Sequence, residues 1–509
     1  MNPQVESVQN TKALIIGGGI AGLLAARVLC EFYGEVLILE RDSQPEQAGA
    51  RPGSPQSFHL HQVLPRGDMI LEELFPGFID DLLDQGAFAT QNSMVQWSNR
   101  YGTMTMPQSE KSASYSRGLL EWVLRQRVRA LSNVRFLYQQ EVMDLEISAD
   151  RARITGVHVR QRGQVEQREL LAADLVVEAS GRASRLPQWL QALGFQLPED
   201  ERLVSSIGYS TRYYKIPTDK KGCPAINVVD SNPAAGNSAS GVVRAIENGI
   251  WATCLSTIGG NEYPSIDADE YEAGFTRLGN PRLAELLRGA EPLGDPRGFR
   301  IPQCIRHHYE QMEQWPAGLL VLGDAFCYFD PVYGQGMTVA AIEVEALARC
   351  LREQREQFLP GFERRVLQQM QEAIYPAWWL SALEDLRWPG VTHSGGEPFK
   401  GVRVLHRYFD LALKRMTDQF ENPQAGFNPQ LLNYMLMTAL LIAPRDVINI
   451  TMLRVLLDNQ THVEQQALLG DMFQGYSQSI EAVLNEIAPA SSSALIGQAV
   501  QENASEVRL

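Results

Sequence analysis

The stretch "TKALIIGGGIAGLLAARVLCEFYGEVLILERD", residues 11 to 42, carries glycines at 17, 19 and 22 and an acid at 40. The G-x-G-x-x-G spacing permits a tight turn, close approach of a diphosphate to bare backbone, and close packing of a helix on a strand. A helix opening through Ile20 and Ala21 offers unpaired N–H groups and a positive dipole end to phosphate oxygens. Glu40, eighteen residues after Gly22, is placed to accept hydrogen bonds from a ribose. Arg41 beside it reads equally as a group lying along an adenine or as a solvated strand-end charge. A second stretch, "GDAFCYFDPVYGQGM" at 323 to 337, packs Gly323, Asp324, Pro331, Gly334, Gln335, Gly336 and Met337 ahead of a helical run. That is more backbone freedom than a helix start needs, and it suits bare backbone lying against a flat ligand. A third, "EASGRASRLPQWL" at 178 to 190, places Gly181 in a turn of small residues.

The elements that must carry these residues follow from the apolar pattern. A β-rich run at 12 to 16, a helix over about 19 to 32 and a strand at 35 to 40 form a βαβ unit. "ADLVVEASG" and "GLLVLGD" read as two further strands, the second followed by a helix from near Met337. If these strands are parallel, their C-terminal turns face one crevice. Residues 91–111 and 206–299 alternate apolar and polar side chains, as in an antiparallel sheet. Its Trp97, Tyr209, Tyr213 and Trp251 suit a hydrophobic ligand and equally an ordinary sheet core. Beyond 355 the pattern is helical, with runs at about 353–372, 402–418, 429–442 and 446–475. The tryptophan-rich "YPAWWLSALEDLRWPG" there reads as a packing layer or a helical cap.

The expected fold is α/β: a Rossmann-like nucleotide-binding domain, an inserted antiparallel β-sheet substrate domain and a mainly helical C-terminal region. The boundaries are 1–90, 112–205 and 300–355 for the first, 91–111 and 206–299 for the second, 356–490 for the third, and a flexible tail at 491–509. A chain of 509 residues is long enough for two or three such units.

Bulk properties exclude several functions. A net charge of −15, without a Lys/Arg cluster, argues against a nucleic-acid binder. The six cysteines lack a C-x-x-C pair and the eight histidines lack ligand spacing, so no metal is expected and the thiols suit a reducing cytoplasm. The glycines of the first apolar run and Pro444 after "YMLMTALLIA" argue against stable membrane insertion. There is no nucleophile elbow and no P-loop. The chain has no second glycine fingerprint of the first kind, so a nicotinamide would be a visitor rather than a resident.

The three glycine-bearing segments, in this order, resemble the single-component FAD-dependent monooxygenases of the para-hydroxybenzoate hydroxylase fold. The resemblance spans most of residues 12–352 and is nearest to the natural-product hydroxylase and polyether-type epoxidase branch. That branch has stretches similar to Arg51-Pro52-Gly53-Ser54-Pro55-Gln56 with His59 and His61, to Gly181–Leu190 and to Gly323–Met337. The resemblance implies FAD as resident cofactor, with Asp324 on the ribityl hydroxyls and Arg51 and Arg117 near the phosphates and flavin. It implies NAD(P)H as transient reductant and transfer of one oxygen atom from O2, through a flavin C4a-hydroperoxide, to a small hydrophobic substrate. Alkene epoxidation is favoured and aromatic hydroxylation comes next, since no base to ionise a phenol stands out.

The middle motif departs from the aromatic hydroxylases, which carry Asp-Gly where this chain has Ser180-Gly181. That puts the NADPH contact in doubt and leaves a separate flavin reductase open as electron source. His59, His61 and Tyr333 are the side chains that could assist beside the flavin; they read equally as loop or packing residues. A flavin-dependent reductase of an isoprenoid-like substrate is the main alternative, followed by a halogenase or a non-catalytic FAD-binding protein. Against the halogenase, the chain has "GIWATCLST" in place of a W-x-W-x-I-P segment and no lysine between Lys12 and Lys111.

Overall fold

The computed structural model describes residues 10–489 except 109, 165–167, 261, 423 and 425–426. The expected tail at 491–509 lies outside them. The chain divides into two compact units, one comprising the chain up to Gly86 with Tyr115–Arg202 and Cys304–Tyr375, the other Ala87–Ser114, Leu203–Gln303 and the chain from Pro376.

The first unit is built on five parallel strands: β1 (Lys12–Ile16), β2 (Glu35–Glu40), β3 (Val134–Tyr138), β4 (Leu175–Glu178) and β5 (Leu319–Val321). Their spatial order is β5-β4-β1-β2-β3. The central strands are buried almost end to end. That explains why they read as continuous apolar runs rather than alternating ones. Register carries the functional consequence: Ile16 pairs with Leu39 and with Glu178, and Glu178 with Val321. The chain therefore leaves β1, β2, β4 and β5 at one sheet edge. Helices α1 (Ile20–Leu29), α2 (Arg117–Arg129) and α3 (Gly336–Glu356) belong to this unit. Ser116 caps α2 by accepting the Leu119 N–H at 3.1 Å. A three-stranded antiparallel sheet, Gln140–Ile147, Ile154–Gln161 and Glu169–Ala172, completes the unit; the sequence reading had not singled it out.

The second unit holds an eight-stranded sheet. Along it run Glu291–Pro292, Ile207–Lys215, Ile250–Thr257, Ser240–Ile246, Ile226–Val229, Met94–Asn99 and Gly102–Pro107, with Arg297–Ile301 also on Ile207–Lys215. Its pairings are antiparallel as expected, except that Met94–Asn99 runs parallel to Ile226–Val229. These two strands come from distant parts of the chain, so no hairpin fixes their direction.

The C-terminal helices break where the sequence pattern ran on. The expected run at 353–372 straddles a boundary: α3 ends at Glu356, Gln357 is extended, and Gly361 adopts φ +68° before a helix over Phe362–Asp385. Pro360 and Gly361 are the interruption. The first part of that helix is tied into the first unit by Gln371, which accepts from Arg306 Nε and donates to the His307 carbonyl, both at 2.6 Å. The run expected at 402–418 is one helix, Val402–Glu421. The run at 446–475 is three pieces, Pro444–Val447, Ile450–Leu457 and His462–Met472. Asn449 caps the second, and a Thr461/Glu464 capping box starts the third. No helix of the described residues is long and apolar enough to cross a membrane.

Candidate cofactor site

Three turns emerge side by side from the edge of the parallel sheet. After β1, Gly17 adopts φ +103°, and a Cβ there would lie 2.6 Å from the Ala179 carbonyl oxygen. A Cβ on Gly22 would lie 2.0 Å from the Gly17 carbonyl oxygen, so α1 can seat on the loop only because position 22 is glycine. Gly19 is the N-cap of α1 without a side-chain cap, which leaves the first N–H groups at Ile20 and Ala21 available. After β4, Gly181 takes φ +82° with open space beside it. After β5, Gly323 takes φ +64°, where a Cβ would stand 2.7 Å from Ala21 Cβ.

A charged network built on α2 surrounds the first turn. Arg117, Glu121 and Arg125 recur every four residues, so they share one helix face. Glu121 takes Arg51 Nε at 2.6 Å, Arg125 Nη2 at 2.9 Å and Arg117 Nη2 at 3.4 Å. Burial raises the cost of its charge, but the charges of Arg51, Arg117 and Arg125 outweigh it and hold the carboxyl below its usual range. Arg125 also donates to the Gly18 carbonyl at 2.5 Å. Arg51 Nη1 reaches Asp42 at 2.9 Å and Glu40 at 3.2 Å. Glu40 in addition accepts the N–H groups of Gly18 and Asp42 at 3.2 and 3.0 Å. Arg41 is exposed.

These residues fit an anionic dinucleotide. Arg117 Nε and Arg125 Nη1 are buried donors with no acceptor among the described residues. A Cβ on Gly18 would stand 3.2 Å from Arg125 Nη1, so this spare donor lies beside the glycine loop. The sequence reading missed Glu121, Arg125 and Asp42; the Arg-x-x-x-Glu-x-x-x-Arg stripe on α2 was the available signal.

At the third turn, Asp324 is raised above its usual range by burial, and the charges of Arg117 and Arg182 pull it back down. Arg117 and Asp324, assigned to one site in the sequence, thus act on one another in space. Pro331 opens a short 3-10 turn, Pro331–Tyr333, that Gly334 ends at φ +66°, and Tyr333 is half-buried within it. Gln335 is the N-cap of α3 and makes no side-chain cap bond; Gly336 has open space where a side chain would be, and Met337 is buried behind it. A glycine bordering open space at an uncapped helix start leaves room for a flat ring.

His59 and His61 do not present equivalent faces. His59 ends a 3-10 turn over Pro55–Phe58 and is buried. The His61 Nδ1–H donates to the His59 carbonyl at 2.9 Å. Burial, helped by the Arg117 charge, lowers His61 to about 3, so its ring is neutral and weakly basic.

In the second unit the sheet register sorts the aromatic candidates. Trp97 pairs with Val228, Val228 with Val242, Val242 with Cys254 and Cys254 with Thr211, which places Trp97 on the face that carries Tyr209 and Tyr213. Trp251 pairs with Tyr214 and points to the other face. It packs there at 2% exposure in a core with Val243, Tyr271, Phe275 and Leu283. Trp251 is thus a core residue, separated from the other three by the alternation of the strand.

Comparison with known proteins agrees with the geometry. The profile of the family described as FAD binding domain matches residues 10–357. The chain is 32% identical over 396 residues to Protein Rv3254 of Mycobacterium tuberculosis, covering 76% of this chain and 82% of that one. It is 23% identical over 354 residues to squalene monooxygenase of Rattus norvegicus, covering 68% of this chain but only 56% of that protein. Among solved structures it resembles the flavin-dependent brominase Bmp2 at TM-score 0.58 and 14% identity, over 84% of this chain and 94% of that one. At that identity the likeness speaks for the fold alone.

Proposed function

The chain belongs to the FAD binding domain family, that of the para-hydroxybenzoate hydroxylase-like flavin monooxygenases, and from that premise we propose that it inserts one oxygen atom from O2 into a hydrophobic natural-product substrate. NAD(P)H is the proposed electron donor, and epoxidation of an alkene is the favoured reaction, with aromatic hydroxylation next. The observation that carries the reading is the alignment of three strand ends. It brings Gly17, Gly181 and Gly323-Asp324 to one edge, with Arg117 close enough to Asp324 to shift its ionisation.

Each residue then has a task. Gly19, Ile20 and Ala21 present backbone N–H groups to the diphosphate, and the spare N–H donors of Arg117 and Arg125 add charge beside them. Glu40 retains acceptor capacity for ribose hydroxyls beyond its bonds to Gly18 and Arg51. Asp324 takes the ribityl chain. Gly334 and Gly336 bring bare backbone against the ring, and α3 aims its positive end there. FAD, when bound and reduced, supplies the activated oxygen; the protein binds, orients and excludes water.

Two observations favour an alkene. His61, one of the side chains that could assist beside the flavin, is too weak a base at about 3 to ionise a phenol. Trp97, Tyr209 and Tyr213 share a sheet face, as an apolar ligand would require, and squalene, named for one relative, is a polyene. The test is turnover under 18O2 with NADPH or NADH and polyene or polyketide alkenes, followed by mass spectrometry. One labelled oxygen per product supports the reading. Flavin reoxidation without any labelled product, across alkenes and phenols, contradicts it.

A further inference from the structure

The carboxyl of Glu343 is fully buried eight residues into α3, a helix whose neighbouring positions are otherwise apolar or engaged. Its Oε2 accepts the Gly323 N–H at 2.5 Å, while its Oε1 is buried with no partner among the described residues. A buried acid on a helix face is costly, and a leucine there would pack without that cost. Its one hydrogen bond among the described residues is from the N–H of Gly323, the residue before Asp324.

The Gly323-Asp324 turn is held by four contacts. The Leu322 N–H donates to the Glu178 carbonyl at 2.9 Å, and the Phe326 N–H closes the turn on the Gly323 carbonyl at 2.8 Å. Gly323 itself sits at φ +64° hard against Ala21, in the glycine loop of β1. The fourth is Glu343. The same helix is fixed relative to the rest of its unit by Thr338, which accepts the Leu64 N–H at 2.9 Å, and by Glu345, bonded to Arg66 at 2.6 Å. Helix α3 therefore carries Gly336 at its start and, two turns on, Glu343 at the Gly323-Asp324 turn.

We propose that Glu343 is a positioning residue for the cofactor, its carboxyl fixing the Gly323 backbone so that Asp324 faces the ribityl chain while α3 presents Gly336 to the ring. The ionisable groups around it are Asp324 and the buried Cys327 thiol, with Arg117 and Arg182 acting on Asp324. Burial raises Glu343 well above the usual carboxyl range, the Gly323 N–H pulls it partly back down, and the Asp324 charge adds to the rise. A glutamine amide oxygen can accept the same N–H. An aspartate, one methylene shorter, cannot reach it from the same helix.

The inference rests on the assignment of Asp324 to FAD, and the test separates the two. Full-length Asp324→Ala, Glu343→Gln, Glu343→Asp and Glu343→Ala proteins are compared for FAD dissociation constant, fine structure of the flavin absorption band and circular dichroism. Glu343→Gln is expected to bind FAD within about twofold of the unmodified protein. Glu343→Asp and Glu343→Ala should bind about tenfold or more weakly, the loss that one misplaced buried hydrogen bond produces. Adding Asp324→Ala to Glu343→Ala should cost less than the sum, because both act through one contact. If Glu343→Asp keeps full FAD affinity and an unchanged flavin spectrum, the inference fails whether or not Glu343→Ala folds. It also fails if Glu343→Gln loses FAD as Glu343→Asp does. If Asp324→Ala binds FAD unchanged, the underlying assignment fails instead.

Discussion

Arg51 and Glu121 meet beside the glycine loop, Nε to Oε1 at 2.6 Å, although 70 residues separate them in the chain. Glu121 also serves Arg117 and Arg125, so one carboxylate holds three guanidinium groups at the place where a diphosphate would add two more negative charges. Arg51 also reaches Asp42 and Glu40, so the charges there balance, and what the site offers an anion is the spare N–H donors of Arg117 and Arg125.

Replacing Glu121 with alanine removes the shared counter-charge. The protein is expected to lose about 3 kcal/mol, the cost of breaking a buried ion pair from one side. Thermal melts with and without FAD check this: the anionic ligand should restore part of the loss. Because the folded carboxyl ionises below its usual range, its contribution exists above the unfolded value near 4.5 and disappears as pH falls through the folded value. The gap between the parent and Glu121→Gln should thus close in acid.

Gly22 and Gly336 should respond oppositely to alanine. At 22 the new Cβ would collide with the Gly17 carbonyl, so Gly22→Ala should lose about 1–3 kcal/mol and most of its flavin colour. At 336 there is room, and Gly336→Ala should melt near the parent temperature. Gly336→Trp should fold and be colourless, read from absorbance near 450 nm after purification. A yellow Gly336→Trp protein would remove this position from the flavin wall.

Trp251 and Trp97 lie on opposite faces of one sheet. Trp251→Ala should cost about 3–5 kcal/mol, as a cavity in the core does. Trp97→Ala, only half-buried, should cost much less and should instead raise KM for an apolar substrate. Denaturant titrations of both variants, alongside steady-state kinetics, distinguish the two roles.

Glu343 has a definite pH signature. An acid whose folded value lies above its unfolded one binds more protons in the folded state, so stability falls as pH rises from the unfolded value near 4.5 toward the folded value. Glu343→Gln carries no such penalty. Its melting temperature should exceed the parent's at pH 8 by more than at pH 4.5. An unchanged difference across that range would show that Glu343 ionises normally.

The local devices follow from the order of residues alone. Glycine spacing, apolar runs and Pro or Gly punctuation set β1, α1, β2 and the start of α3, because these depend on backbone sterics within a few residues. The sequence named Asp324 and Arg117, and it found the aromatic strands but not their sides. It also ran a helix through Pro360 and Gly361, because amphipathic period persists across a short break. Pairing follows only from the three-dimensional arrangement. Strand register separated Trp251 from Trp97, and the meeting of α2 with the loop after β1 made Glu121 and Arg125 part of the site. Burial between α3 and β5 turned Glu343 from an ordinary helix acid into an acceptor for the Gly323 N–H. Such outcomes depend on groups tens to hundreds of residues apart, whose energies arise only when folding excludes water between them.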